Sequence, residues 1–263
     1  MAVGQLSIVF NLKGPSSTLV GCSSVEYASR FIREGKAEVM LACGIEEMHP
    51  HIYYGFDQSG MLSKDDGQSE RCVPFSSRAN GTVLGEGSTV VMLESEEHAR
   101  KRDAHIYAEV VDFKTVTDPC FNKMYTEIGK EKRNSFSILM TKILEKNSVK
   151  PEDVSFISAA ANSIPNVDET ERDAIGSVFD NNKVSLVVSK AIFGETLGNS
   201  EINALAAAAL CFEKNDVPPV RYLAEESGSL TNAGNTKKEL SYALVNSMYI
   251  GGNICTTLLK KYK

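Results

Sequence analysis

Several features that mark common functional classes are missing from this 263-residue sequence. No cluster of Lys or Arg recurs along a chain whose net charge is -6, so nucleic acid and anionic membrane surfaces are not expected partners. No apolar run is long enough to cross a bilayer. The six cysteines form no CxxC pair and no signal peptide precedes them, which predicts reduced thiols and a cytoplasmic protein.

The usual signatures of metal and nucleotide sites are also missing. His49 and His51 are close together, but two ligands in a proline-containing loop are weak evidence, so no metal site is predicted. Residues 81–88 are rich in glycine yet lack the Lys-Ser/Thr pair of a phosphate loop. These glycines are predicted to serve a turn or a close approach between backbones, and no cofactor is expected.

A strand–turn–helix pattern lies near the start of the chain. Residues 16–20 are short and rich in β-branched and small residues, which favours a strand, and the apolar spacing over residues 25–34 is typical of a helix. The turn contains Cys22, and its serines are suited to cap the helix. Because a helix N-terminus stabilises a thiolate, Cys22 is a candidate nucleophile. A cysteine in this position is more often a small core residue, and that alternative stays open.

Segments of strand length then alternate with helical patterns. Asp168 and Glu171 are expected to form a capping box, and residues 127–146 an amphipathic covering helix. The alternation predicts an α/β layered fold with some antiparallel strands near the end. Strands are predicted over residues 37–44, 89–93, 106–114, 154–161, 184–189, 241–246 and 255–259, and helices over residues 25–34, 96–102, 127–146, 168–179 and 201–213.

Short motifs recur in order along the whole chain. They include Leu12-Lys13-Gly14-Pro15-Ser16, Pro74-Phe75, Leu84-Gly85-Glu86-Gly87, Ser189-Lys190 with Gly194, and Asn246-Ser247 with Gly251-Gly252-Asn253. In this order they resemble the motifs of the β-ketoacyl synthases of the thiolase fold. The resemblance implies a layered αβαβα fold that is incomplete here and lacks most of its N-terminal half. Residues 1–114 would be the remnant of that half, and residues 115–263 the C-terminal half.

The catalytic residues of the family are replaced. Active members use a cysteine nucleophile and two histidines, and the resemblance places those histidines at Ala160 and Glu195. Lys190 matches the lysine of the family, but an amine cannot replace two imidazoles in proton transfer and oxyanion stabilisation. The nucleophile position falls at Cys22 or Ser23, because a gap beside the turn leaves the register open. No catalytic residue is therefore expected.

One subgroup of the family shares these losses, namely the chain length factors, or ketosynthase β subunits, of type II polyketide synthases. Membership would imply an obligate heterodimer with an active ketosynthase α subunit, transient contact with an acyl carrier protein, and a shared polyketide tunnel. Strand edges exposed by the missing part of the fold also predict a partner. The resemblance places the interface strand at Ser16, Ser17, Thr18, Leu19 and Val20, and tunnel candidates at His51, Tyr53 and Tyr54.

Two other functions remain open from the sequence. The chain could be a thiolase-like acyltransferase or hydrolase that uses Cys22 or Ser23, with Glu195 as the base. It could also be a structural scaffold that has no influence on product length. Glu195 has a simpler interpretation as the ion-pair partner of Lys190.

Overall fold

The computed structural model describes residues 2–118, 134–179, 184–224 and 239–263. Positions 127–133 of the predicted covering helix and Cys120 lie outside these ranges. The helices are α1 (Ala2–Val9), α2 (Ser24–Arg33), α3 (Pro50–Gln58), α4 (Glu96–Lys101), α5 (Ser135–Lys146), α6 (Pro165–Val178), α7 (Lys190–Phe193), α8 (Ser200–Lys214) and α9 (Arg221–Ala224). The strands are β1 (Val39–Glu46), β2 (Gly87–Glu94), β3 (Ala108–Thr117), β4 (Val154–Ser158), β5 (Ser185–Val187), β6 (Tyr242–Tyr249) and β7 (Asn253–Lys261).

Five of the strands form one mixed sheet in the order β3-β7-β6-β4-β5. The strands β4, β5 and β6 run parallel, whereas β7 is antiparallel to both β6 and β3. Neighbouring residues of a strand point to opposite faces, and β4 shows this clearly. Ile157 packs in the cluster that contains α5 and α6, while Phe156 packs against Phe212 of α8 at 5.2 Å between ring centroids. Helices therefore cover both faces of this sheet.

The strands β1 and β2 form a separate antiparallel pair. Val25 and Ala28 of α2 and Ala42 of β1 share a buried cluster with one face of α8. The helices α2 and α8 thus lie between the two sheets, and the predicted α/β layered fold is confirmed. The division of the chain at residues 114 and 115 stays a prediction.

Two local predictions were wrong. Residues 16–20 form no strand in the described chain and all five are exposed, because no neighbouring strand offers them a hydrogen-bonding edge. The helix α6 begins at Pro165, after an N-cap Ile164 without a side-chain cap, so Asp168 and Glu171 form no capping box. Proline suits the first position of a helix because it has no backbone N–H that needs a partner there. Both carboxylates are buried and accept from the N–H groups of other segments.

The glycine-rich stretch does serve close approach between backbones, as predicted. An added Cβ on Gly85 would lie 1.9 Å from the carbonyl oxygen of Phe193. The N–H of Gly85 donates to the carbonyl of Glu195 at 3.0 Å, and the N–H of Glu195 donates to Val83 at 2.8 Å. The stretch therefore holds the backbone on both sides of Glu195.

We expect Gly85→Ala to lower the free energy of unfolding by about 3 kcal/mol, because the new methyl group must displace backbone. Gly55→Ala is the matched control, since Gly55 lies in α3 and an added Cβ meets nothing within 4 Å. The control should gain roughly 0.5–1 kcal/mol from helix propensity. Urea denaturation measures both, and equal stabilities would contradict the packing seen at Gly85.

Candidate functional site

Cys22 lies in the turn before α2 and is 3% exposed. Its N–H donates to Asn253 Oδ1 at 2.8 Å, and its thiol is 3.0 Å from the same oxygen. The carbonyls of Asn253 and Ser247 lie 3.3 Å and 3.6 Å from the sulfur. Gly21 makes this contact possible, because a Cβ there would lie 2.6 Å from Asn253 Oδ1. Oxygen acceptors therefore surround the Cys22 thiol.

This environment favours the protonated thiol. Burial raises the pKa of Cys22 well above its ordinary value, and the nearby Cys255 and Glu201 raise it further. Lys190 acts in the opposite direction, but its effect is the smaller one. Since the thiolate is the nucleophilic form, Cys22 is held in its unreactive state.

The N-terminus of α2 is occupied by a carboxylate from another helix. Ser23 stands at the N-cap without a side-chain cap hydrogen bond, so the predicted serine cap is wrong. Instead, Ser24 N–H donates to Glu201 Oε2 of α8 at 3.0 Å. Burial raises the pKa of Glu201 to about 7. A carboxylate here takes the place that a thiolate would need at the positive end of the helix dipole.

The two positions at which the resemblance expects catalytic histidines are both buried in the core. Ala160 follows β4 and is 1% exposed, and Glu195 follows α7 and is also 1% exposed. Lys190 connects them, because its Nζ donates to Ala160 O and to Glu195 Oε2, each at 2.8 Å. The expected ion pair between Lys190 and Glu195 is present.

The carboxylate of Glu195 accepts four hydrogen bonds. Its Oε2 accepts from Lys190 and from Asn162 Nδ2 at 3.0 Å. Its Oε1 accepts from Ser200 Oγ at 2.7 Å and from Leu197 N–H at 3.0 Å. Burial by itself raises the pKa of Glu195, but the cation and the other donors hold that pKa below its ordinary value. An ionised carboxylate with both oxygens occupied is a poor general base.

Asp168 and Glu171 organise the loop that contains Ala160. Glu171 accepts the N–H groups of Ala160 at 3.0 Å and Ala161 at 2.7 Å. Asp168 accepts those of Asn162 at 3.0 Å, Ser163 at 3.1 Å and Phe75 at 2.8 Å. Burial raises the pKa of both carboxyls, that of Asp168 to about 7. These carboxylates take up backbone donors that would otherwise be buried without partners.

The strand β6 links the two halves of the site. Its Ser247 presents a carbonyl to Cys22, while the side chain of the preceding Asn246 donates to Glu171 Oε1 at 2.8 Å. Asn246 in turn accepts from Thr256 Oγ1 of β7 at 2.8 Å. The turn with Cys22, the loop with Ala160 and the centre of the five-stranded sheet therefore form one connected polar network.

The other predicted site residues are not in this network. His51, Tyr53 and Tyr54 lie on α3 and are exposed, the two tyrosines by 54% and 63%. The predicted interface residues Ser16, Ser17, Thr18, Leu19 and Val20 are exposed as well. Both surfaces are free to meet another molecule as far as the described residues are concerned, and their roles stay predictions.

The sequence alone did not indicate that two residues, Asn253 and Glu201, act on the Cys22 thiol. Asn253 accepts its hydrogen bond, and Glu201 raises its pKa. Asn253 belongs to a stretch that matches the family and follows two glycines, and its side chain accepts from Cys22. Glu201 is an acidic residue in an otherwise alanine-rich helix, and that contrast in composition was the available signal.

Among the described residues, no group of three or more His, Cys, Asp or Glu side chains is placed to hold a metal ion. Within those residues, no helix combines the length and the apolar character needed to span a membrane.

Comparisons with known proteins cover nearly the whole chain. Residues 1–99 match the family model for the β-ketoacyl synthase N-terminal domain, and residues 107–223 match that for the C-terminal domain. The 3-oxoacyl-[acyl-carrier-protein] synthase 2 of Staphylococcus aureus strain COL is 30% identical over 275 residues, which cover 100% of this chain and 66% of the relative. The chain thus spans slightly less than two thirds of the length of that relative.

Solved structures of ketosynthases also match this chain. A type II polyketide synthase acyl-carrier protein in complex with its ketosynthase, bound to the hexaketide, matches with a TM-score of 0.84 and 25% identity, over 99% of this chain and 66% of that one. The ishigamide ketosynthase/chain length factor matches with a TM-score of 0.77 and 23% identity, over 94% of this chain and 61% of that one, which shows a shared fold. On these matches and on the layered fold that positions its polar centre, the chain belongs to the β-ketoacyl synthase family.

Proposed function

We propose that this chain is a non-catalytic subunit of the chain length factor type, which pairs with an active ketosynthase of a type II polyketide synthase and helps to shape the polyketide tunnel. One observation carries the proposal. At the two positions where the resemblance expects the histidines of active family members, this chain has the methyl group of Ala160 and the ion-paired carboxylate of Glu195.

Condensation needs a thiolate, a group that stabilises developing negative charge and a group that handles a proton. Cys22 is a buried thiol with a raised pKa. Lys190 is engaged by Glu195 and Ala160. Ala160 has no polar side chain. The arrangement stabilises the fold at the place where chemistry would occur.

A partner is supported by the surface of the chain. Apolar side chains on β2 and α8 are half exposed, among them Val90, Met92 and Leu210. Exposed apolar residues that lie together are typical of an interaction site. The similar ketosynthase solved with its acyl-carrier protein supports the same kind of assembly for this chain. We therefore place it beside an active ketosynthase, with an acyl carrier protein visiting the complex.

The exposed side of α3 is the proposed contribution to the tunnel. His51, Tyr53 and Tyr54 are close together on it, and neither tyrosine ring is buried by this chain. An aromatic surface of this kind suits the wall of a cavity that a partner completes.

The enzymatic alternative predicts that Cys22 or Ser23 becomes acylated. We expect no acyl group on either residue after incubation with a radiolabelled acyl-acyl carrier protein, because burial and the nearby Cys255 and Glu201 raise the pKa of Cys22 and keep its thiol protonated. We also expect iodoacetamide to modify Cys22 in the native chain roughly ten times more slowly than the half-buried Cys43. Peptide mass spectrometry measures both.

The positive control for acylation is the Staphylococcus aureus 3-oxoacyl-[acyl-carrier-protein] synthase 2. Label on Cys22 that is lost in Cys22→Ala would contradict the non-catalytic proposal and favour the acyltransferase.

The ion pair provides a test of the structural role of Lys190. Lys190→Met leaves the Glu195 carboxylate buried without its cation, which should cost about 3–5 kcal/mol of unfolding free energy. In the wild type the pKa of Glu195 is lowered, so the stabilisation is present above the ordinary carboxyl pKa and is lost as the pH falls through the lowered value. Without Lys190, burial raises this pKa, and the penalty should be larger at pH 8 than at pH 5.

The control for this variant is Lys190→Met combined with Glu195→Gln, which removes both charges and should recover part of the loss. Urea denaturation at the two pH values gives the comparison. A penalty that does not grow with pH would show that the pair contributes little to the fold.

The partner is tested by coexpression. Expressed alone, the chain should be found mainly in the insoluble fraction, because half-exposed Val90 and Met92 favour association. With a full-length ketosynthase α subunit it should be soluble and coelute with that subunit on gel filtration. If the chain is soluble when expressed alone and does not coelute with the ketosynthase, the proposed partnership is wrong.

The same complex separates tunnel shaping from a pure scaffold. Tyr53→Ala and Tyr54→Ala should change the length distribution of the polyketide products, while Tyr107→Ala, an exposed tyrosine away from α3, should not. Unchanged products with both α3 variants would favour the scaffold.

A further inference from the structure

We propose that Asn80 is a site of spontaneous deamidation, and that the loop of residues 63–71 protects it until that loop opens. Asn80 is followed by Gly81, and this is the one Asn-Gly pair in the sequence. Because glycine has no side chain, nothing hinders attack by its backbone nitrogen on the asparagine amide, so this dipeptide is especially prone to deamidation. The inference does not depend on the proposed function.

The reaction needs only water and a solvent base. The base removes the proton of Gly81 N, and this nitrogen forms a bond to Cγ of Asn80. The bond from Cγ to Nδ2 breaks, and Nδ2 takes a proton from solvent and leaves as ammonia, which gives a five-membered succinimide. Water then opens the ring at either of its two carbonyls. The product is aspartate or isoaspartate at position 80, without oxidation or reduction.

The fold requires glycine at position 81. Gly81 has a φ of +142°, and an added Cβ would lie 2.3 Å from the carbonyl oxygen of Leu62. A side chain at this position would therefore displace backbone. The N–H of Gly81 donates to Ser163 O at 3.0 Å, which holds the attacking nitrogen in place. Since the glycine cannot be exchanged, Asn80 can be protected only by such contacts.

The side chain of Asn80 is held as well. Its Oδ1 accepts from Ser63 Oγ at 2.8 Å. Its Nδ2 donates to Lys64 O at 3.0 Å and to Asp66 Oδ2 at 3.3 Å. Attack requires Cγ of Asn80 to turn toward the nitrogen of Gly81, so these hydrogen bonds must break first.

An ion pair keeps the loop closed. Arg71 Nη1 donates to Asp66 Oδ1 at 3.0 Å, and Arg71 Nη2 donates to Asp66 Oδ2. The backbone N–H of Arg71 donates to Ser63 Oγ at 3.1 Å. Arg71 thus connects two of the residues that hold Asn80. The Asp66 side chain is 44% exposed, so the loop can open without unfolding of the core.

Deamidation would also change the loop that prevents it. Lys64 O and Asp66 Oδ2 are both acceptors, and a carboxylate at position 80 has no proton to donate to them. It would place a second negative charge beside Asp66. The modification is irreversible, and it marks a chain whose loop has opened.

The test measures deamidation in the full chain, together with its ketosynthase if the two copurify, at mildly alkaline pH by peptide mass spectrometry. A capped synthetic peptide with the sequence of residues 76–85 is the unprotected reference. We expect Asn80 to deamidate roughly 100 times more slowly in the native chain than in the peptide, because several hydrogen bonds must break before attack. Equal rates would overturn the proposal.

Two variants should open the loop. Asp66→Ala removes the partner of Arg71. Ser63→Ala removes the hydroxyl that donates to Asn80 and accepts from Arg71. Each should speed deamidation about tenfold. Asp65→Ala is the matched control, since this neighbouring carboxylate binds only a backbone N–H within the loop, and its rate should equal that of the wild type. If both loop variants react as slowly as the control, the loop does not protect Asn80.

Urea below the unfolding transition distinguishes opening of the loop from unfolding of the whole chain. Local opening exposes little surface, so deamidation of the wild type should depend on urea as weakly as hydrogen exchange of the Arg71 amide does. The amide of Leu244, in the central strand β6, reports unfolding of the whole chain. A deamidation rate that rises with urea as steeply as exchange at Leu244 would overturn protection by the loop. This comparison uses the wild type, so it decides the case if the variants misfold.

Discussion

An ion pair in the protein core, Lys190 with Glu195, determines what the centre of this molecule can do. Removing two charges from water is costly, and the cost is offset only when every donor and acceptor finds a partner. The chain meets this requirement with Asn162, Ser200 and backbone groups around Glu195, and with Ala160 O beside Lys190. A network in which both oxygens of Glu195 are occupied holds the surrounding segments firmly and leaves that carboxylate poorly placed to act as a base.

Other buried carboxylates also bind backbone N–H groups, although Glu201 Oε1 has no hydrogen-bond partner among the described residues. Asp168 and Glu171 bind the N–H groups of the loop at Ala160, and Glu201 binds the start of α2. In each case an acidic side chain replaces a hydrogen bond that regular secondary structure cannot make at an element end. The layered fold of the family is thereby held together around Ala160, Cys22 and Glu195 by buried carboxylates.

Much of the fold could be predicted from the sequence, because apolar periodicity is local. The helices α2 and α8 and the strands β1, β2, β6 and β7 lie within a few residues of their predicted bounds, and α5 ends at the predicted residue. The errors concern contacts between distant residues. Residues 16–20 have strand composition but no edge to pair with, and the spacing of Asp168 and Glu171 fits a capping box although they bind other segments. Cys22 and Glu195 could be singled out from the sequence, whereas Asn253 and Glu201 could not, since their partners are over 170 residues away.

The acceptors around Cys22 have a consequence for oxidative damage. Peroxide attacks thiolates that solvent can reach, and the first product, a sulfenic acid, needs room for an added oxygen. Cys22 is 3% exposed, and its thiol donates to Asn253 Oδ1. Peroxide at a dose that oxidises exposed thiols would therefore leave this residue unmodified, so that the contact between the turn before α2 and strand β7 outlasts oxidation of the chain's more exposed cysteines.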